Sequence, residues 1–416
     1  MLRAAFAALL IALAGRPTRD LPAQSPDKLS QRERVATASR VFHHIKTSFP
    51  DLAERQFERD YDDYLAQILG PSDDRRAFDL ATMALVATLH DSHSWFFDAW
   101  IDQNQGHAIG LTVYRWEKQW VVVRSRLTSV KAGDVIEAVD GLPTEEFFQQ
   151  RRKYLSASSE RDAAVSLFDT PILFPERFTL TLDGGRRATV DRKLDQKRAE
   201  PGMVEGRWLV PGTVGYIRMS AFHGIETIAA AWQYFNEFHG AATVILDLRG
   251  NVGGGDPRAL QQGLMSKPYP MWSESGAMTG GALLRGYGVA HPGMAHITIN
   301  EADMRPRGPA FAGRLFLLID RGCSCACEDF TMPFKVTGRA QLIGETTAGS
   351  FSFTDAMEFE NGMRLNIATV RHTFPDGSRF EGVGIRPDIE VSPTVQDLKN
   401  GRDVVLERAQ MLASQR

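Results

Sequence analysis

Cysteine is nearly absent: three residues in a chain of 416, all within five positions, at Cys323, Cys325 and Cys327. An exported protein held by disulfides spreads its cysteines, so these cannot staple distant elements and the fold has to stand on its core. Long apolar runs are also missing. A single run from Ala4 to Ala14, after Arg3, is about eleven residues and too short for a bilayer core of about 30 Å. Ala12, Leu13 and Ala14 have the small-x-small form of a cleavage site, and a polar, Pro-containing spacer continues to Lys28. Residues 1–24 are therefore expected to be a signal peptide and spacer, and the mature chain exported, periplasmic or secreted. A short buried helix or a lipid-facing anchor is the alternative. Charge of one sign is lacking too, with 48 basic against 51 acidic residues and a net charge of −3. No basic stripe with interleaved aromatics occurs, so nucleic acid is not an expected partner. Internal repeats and low-complexity tracts are absent.

What is present suits an ordinary folded chain, 43% hydrophobic and 24% charged, long enough for two or three domains. Residues 25–104 have a helical texture. Phe78, Ala81, Leu85, Val86 and Leu89 share one helix face, Ser72, Asp73 and Asp74 supply caps, and the pattern stops at His90 to His93. Residues 105–200 read as a small α+β unit, with strands at Ile109–Val113 and Val121–Arg124 and an alternating strand from Phe178 that ends in a turn at Gly184. Residues 201–396 alternate strand and helix. Ala242–Leu248 and Leu315–Asp320 are continuous apolar strands, the mark of burial on both faces. A helix from Glu328 to Gly338 contains an awkward Pro333, and a hairpin turns at Glu360, Asn361 and Gly362. The Gly- and Pro-rich stretch from Asp256 to Arg307 reads as a long loop or lid. Residues 397–416 read as a tail.

Three segments carry chemistry. The buried strand ending at Asp247 opens into Arg249, Gly250, Asn251, Val252, Gly253, Gly254 and Gly255, where outward N–H groups could hold an oxyanion or simply make a turn. The strand ending at Asp320 runs into the three cysteines and then a helix. A thiol on such a turn is exposed near the positive helix end, which lowers its pKa. Equally, the cysteines could be small core residues. Their spacing argues against a metal site, and a disulfide between such close neighbours is expected to be strained. The third segment is Asp91, Ser92, His93 and Ser94, whose histidine is either structural or a general base.

Together these segments resemble the S41 peptidases, the tail-specific or C-terminal processing proteases, over about Asp91 to Val391. The markers are Asp91 to Ser94, Ala132 to Gly141, Asp247 to Gly254, Cys325 to Glu328, Gly344 to Gly349, and Phe374 to Gly377 followed by Gly382 to Asp388. The resemblance implies an α/β fold: a crotonase-like (ββα) protease core with an N-terminal helical region and a PDZ-like α+β domain. The family's Ser-Lys dyad would place its lysine at Ser350, and Lys335 is too close in sequence to replace it. The tricorn-core-like Ser-His-Glu branch instead matches His93 and Glu381. Its serine lies three positions before the acidic residue, which here is Cys325, with Ser324 one residue early.

The resemblance thus implies an exported endopeptidase acting on protein or peptide tails. His93, Cys325 (or Ser324) and Glu381 would be catalytic, and the N–H groups near Gly253, Gly254 and Ala326 would be the oxyanion donors. No cofactor, metal or stable membrane span is implied. The alternatives are a weakened pseudopeptidase that binds peptides and a crotonase-like acyl-transfer enzyme.

Overall fold

The computed structural model describes residues 27–415 except 51, 53–55, 105–107, 194–201, 279–294, 301–302 and 309–310, so the expected signal peptide lies outside the described residues. The two apolar strands, Thr243–Asp247 and Arg314–Ile319, lie side by side at the centre of a six-stranded sheet. Its order is Ile389–Glu390, Gln341–Gly344, Arg314–Ile319, Thr243–Asp247, Val214–Met219, Val204–Val210. All pairs are parallel except the last. Their continuous hydrophobicity follows from cover on both faces. Val244, Leu246, Leu315 and Leu317 pack with Ile228, Phe235 and Phe330 of the helices Gly224–Glu237 and Ala326–Thr337. Ile245, Phe316 and Leu318 pack against Val405 and Ala409 of the helix Val404–Ser414. The segment expected to be a tail is therefore a cover of the sheet.

Pro333 does lie inside a helix, which begins at Ala326 and ends at Thr337. Proline removes the N–H that would bond the carbonyl of Asp329. The buried Gln261 takes its place, its Nε2 donating to that oxygen at 2.6 Å.

The stretch from Asp256 to Arg307 corrects the loop expectation. It holds the helix Arg258–Leu264 and the strands Ser273–Met278 and Ala295–Asn300, the first strand also pairing with Val370–Thr373. Leu260, Leu264, Tyr269 and Trp272 are buried in the main core. The sequence hid this because the first strand reads Ser-Glu-Ser-Gly-Ala-Met, with no alternation, and is specified by its long-range ladder.

The unit between residues 108 and 193 has its own core, around Trp120, Phe148, Phe168, Phe174 and Phe178. Its four-stranded sheet runs Leu142–Pro143, Ile136–Val139, Arg177–Leu182, Arg186–Asp191, beside the hairpin Leu111–Trp116 and Gln119–Ser125. The N-terminal helices are Gln31–Ser48, Phe57–Ile68 and Arg75–Ala87; the first is capped by Ser30, in a capping box with Glu33, and the third by Asp74, as its position suggested. They do not stand apart. The strand Trp95–Asp98 pairs antiparallel with Met363–Ala368, and the helices share a core with Leu365 and Ile367 of that hairpin. This pairing ties the turn that bears His93 to a segment more than 250 positions later. Among the described residues no helix is long and apolar enough to cross a membrane.

Candidate active site

His93 sits in the turn between the helix Arg75–Ala87 and the strand Trp95–Asp98. Its backbone is fixed from both sides. The buried Asp91 carboxylate accepts from the His93 N–H at 2.9 Å and from Ser94 Oγ at 3.0 Å, and is itself paired with Arg371. The His93 carbonyl accepts from Asn366 Nδ2 at 2.7 Å. The ring is thereby presented to the loop that follows the strand Arg314–Ile319.

On that loop Cys325 is the N-cap of the helix Ala326–Thr337, with φ 56° and ψ −125°. A non-glycine residue at positive φ is strained and persists only where its surroundings impose it. Here its N–H donates to the Ser350 carbonyl at 2.7 Å, while its own carbonyl accepts from Glu328 N at 2.8 Å and Asp329 N at 3.0 Å. The kink presents the sulfur as the nucleophile of a strand-to-helix elbow is presented.

The Cys325 thiol and the His93 imidazole lie close enough for each to shift the pKa of the other. For the thiol, burial pushes upward, but the imidazole and the N–H groups of Ala326 and Gly254 outweigh it and hold the pKa below the ordinary value. For the imidazole, burial pulls downward, but the sulfur and then Asp91 and Glu381 raise it to about 9. Each group favours the charged form of the other, a thiolate beside an imidazolium. Ser350 Oγ also contacts His93 Nδ1, at 3.2 Å.

The expected donors divide. Gly254 and Ala326 both direct N–H groups at the sulfur. Gly253 does not: its N–H donates to the buried Asn251 Oδ1 at 2.8 Å, which corrects its assignment as an oxyanion donor. Gly253 supplies space instead. At φ 90°, a Cβ there would lie 2.6 Å from the Ala326 nitrogen and 2.7 Å from the Cys325 Cβ. Ser324 is joined to its neighbours by backbone bonds, its N–H to the Asn251 carbonyl at 3.1 Å and its carbonyl from Cys327 N at 3.0 Å. No hydrogen bond among the described residues links its hydroxyl to His93.

Glu381 comes close enough to act on His93 electrostatically, but no hydrogen bond joins them; its Oε1 accepts from Ser158 Oγ. Burial and the Asp91 charge raise its carboxyl to about 7. Ser158 in turn bonds Ser92 in both directions, so the chain from Glu381 reaches the histidine turn through two hydroxyls.

Cys323 and Cys327 form a disulfide with Cα atoms 5.5 Å apart, an ordinary separation for such a bond, contrary to the strain expected from their spacing. The turn at Cys325 brings the flanking residues together and leaves Cys325 as the free thiol.

Sequence reasoning missed three supports. Asn251 joins the glycine loop to the nucleophile loop. Fully buried Glu328 accepts from Thr347 Oγ1, from Gly349 N at 2.7 Å and from Ser350 N at 2.8 Å, with its carboxyl pushed by burial to about 8. Ser350 was visible only as the place of a missing lysine.

Comparison with known proteins gives consistent findings. Residues 213–391 match the model of peptidase family S41. A carboxyl-terminal-processing protease of Synechocystis sp. is 26% identical over 259 residues, which are 61% of this chain and 53% of that protein. The carboxy-terminal-processing protease of Bartonella bacilliformis is 23% identical over 357 residues, 82% of this chain and 75% of that one. The match thus spans about half the length of the first of these relatives. Among solved structures, mature CPAF in complex with lactacystin superimposes with a TM-score of 0.68 at 15% identity, covering 92% of this chain and 98% of that one. A photosystem II D1 C-terminal processing protease gives 0.55 at 20%, covering 88% and 94%. At such identities the structures speak for the fold alone.

Proposed function

Since this chain belongs to peptidase family S41, we propose that it hydrolyses peptide bonds in protein or peptide tails with Cys325 as nucleophile and His93 as its acid–base partner. One observation carries this reading: a strained, positive-φ thiol beside a half-buried imidazole, each favouring the charged form of the other, with two backbone N–H groups acting on its sulfur.

In the mechanism the Cys325 thiolate attacks the scissile carbonyl, and the C=O electron pair moves onto oxygen. The N–H groups of Gly254 and Ala326 stabilise that oxyanion; losing one such donor typically costs roughly 10²–10³ in rate. The His93 imidazolium gives its proton to the leaving amine, and the C–N bond breaks to leave a thioester. The neutral imidazole then removes a proton from water, which attacks the thioester and restores the thiolate–imidazolium pair. Asp91 holds the turn that carries the imidazole. Glu381 favours the charged ring through its field, with Ser158 keeping the carboxylate in place. The α+β unit at residues 108–193, read as PDZ-like, would receive the substrate tail by strand addition.

The same reading places the mature chain outside the cytoplasm. The Cys323–Cys327 disulfide suits an oxidising compartment, and residues 1–24 have the form of an export signal. Cell fractionation with mass determination of the mature N-terminus tests this; a cytoplasmic chain that retains residues 1–24 overturns it.

For the activity, the mature protein is incubated with casein or a tailed peptide beside Cys325→Ala and His93→Ala. Cleavage by the wild type that both variants lose supports the reading. Equal cleavage by all three overturns it.

A further inference from the structure

A cavity of about 290 Å³ opens between the N-terminal helices and the α+β unit. Its walls are mainly apolar: Met83, Phe96, Phe97, Ile101, Pro171 and Ile172. Asp79 also lines it, one helical turn before Met83 and so on the same face of Arg75–Ala87. Asp79 is 1% exposed, and neither of its carboxyl oxygens receives a hydrogen bond from an N–H or O–H of another residue; the Asp98 carboxyl is its side-chain hydrogen-bond neighbour. Its neighbour Asp98 is fully engaged. Oδ2 accepts from Arg75 Nε at 2.6 Å, and Oδ1 accepts from Arg75 Nη2 and from Trp100 N, each at 2.9 Å. The Arg75 guanidinium is matched by Asp98, and Asp79 is a second carboxyl beside it; the two carboxyls share a hydrogen bond only while one of them holds a proton.

Buried carboxyl groups are almost always supplied with donors, because leaving one unpaired costs a large part of its hydration. When that proton is gone, the cavity that Asp79 lines is where another donor reaches its carboxylate. A group that fits must be cationic at one end and apolar along its length. The volume lies at the lower end of small-molecule sites, which sets the size of the ligand.

We infer that this cavity binds a primary alkylamine, with its ammonium on the Asp79 carboxylate and its hydrocarbon stem between Met83, Phe96, Ile101 and Ile172. The site is independent of the peptidase chemistry and uses none of its residues.

Without a ligand, burial, then the Asp98 charge and the hydrogen bond to Asp98, push the Asp79 carboxyl well above the ordinary carboxylate range. Arg75 opposes this and Asp74 adds to it, both from the same helix. Tyr64 faces Asp79 from the helix Phe57–Ile68, and Asp169 and Arg192 line the far wall, where Arg192 donates to the Phe174 carbonyl. Uptake of an alkylammonium therefore displaces the Asp79 proton to solvent: the cation enters, one proton leaves, and the charge of the site is unchanged. Binding tightens as pH rises.

The probe is hexylamine, titrated calorimetrically into the full mature chain, with 1-hexanol as the uncharged control. The expected result is binding that tightens from about pH 5 to about pH 8 and is at least about tenfold weaker both for hexanol and for Asp79→Asn. Met83→Trp, which fills the apolar wall and leaves the carboxyl in place, abolishes it. This second variant decides the matter if Asp79→Asn does not fold, as followed by its thermal melt. Equal affinity for amine and alcohol, equal affinity in the wild type and a folded Asp79→Asn, unaltered binding in Met83→Trp, pH-independent binding, or no binding at millimolar amine each overturns the inference.

Discussion

Cys325 and His93 each lower the cost of charging the other, and that coupling gives the residue-scale predictions. A thiol held below its ordinary pKa has a larger thiolate fraction than a free cysteine, so iodoacetamide should label Cys325 faster than a free cysteine at about pH 7. His93→Ala removes the largest cause that lowers the thiol, and labelling at that pH should slow by at least about tenfold. Labelling unaffected by the histidine change would refute the ion pair. The pH dependence of kcat/KM follows from the same groups. Below about 7 the Glu381 carboxyl takes up a proton and its field on the imidazolium disappears. Above about 9 the imidazolium loses the proton that the leaving amine needs. The profile should therefore be bell-shaped between those limits, and Glu381→Gln should remove the acid limb near 7 and move the alkaline limb to lower pH, because the Glu381 charge helps to raise the imidazole. A flat profile across that range would contradict both assignments.

At the scale of elements, two loops meet because one buried carboxyl holds them. Glu328, in the first turn of its helix, accepts two N–H groups and a hydroxyl from the 347–350 loop, and Ser350 from that loop bonds both the Cys325 N–H and the His93 ring. Glu328→Gln turns one acceptor into a donor against a buried N–H. The expected cost is about 1–3 kcal/mol in urea unfolding, with kcat reduced more than KM because the geometry of Cys325 and His93 depends on Ser350. Unaltered stability would show that the carboxyl does not hold the loop. The disulfide sets the other constraint. Cys323 and Cys327 are completely buried, so the native protein should offer one reactive thiol to a disulfide-exchange reagent, and three after reduction in denaturant. Replacing the pair by alanine removes a very short closed loop, worth about 2 kcal/mol in the chain-entropy account.

How far the sequence could be read follows from such details. The elbow was legible because a strand buried on both faces has no polar positions, so its end at Asp320 and the small residues after it stand out. His93 and Glu381 were legible only through the resemblance, since no local pattern separates a catalytic histidine from a packed one. The Gly253 error has a physical origin. A glycine run declares backbone freedom, but not which N–H groups are already taken, and Asn251 takes one. The strand Ser273–Met278 was invisible for the reason that β pairing across a hundred residues leaves no trace in local composition.

For the molecule as a whole, the site depends on a pairing made far along the chain. His93 belongs to the first hundred residues and Cys325 to the last hundred. The antiparallel pairing of Trp95–Asp98 with Met363–Ala368, and the core it shares with the N-terminal helices, fixes the first against the second. Truncating Leu365, completely buried in that shared core, should cost about 2–5 kcal/mol. It should also slow iodoacetamide labelling of Cys325 while the protein is still folded, because the seat of the imidazole loosens. Leu180→Ala makes a matched comparison. Leu180 is equally buried, but in the separate core of the α+β unit, so a similar loss of stability should leave the labelling rate as it is. Urea unfolding and labelling kinetics on the two variants check the distinction. If both slow the thiol equally, stability in general and not this pairing brings the imidazole to the sulfur.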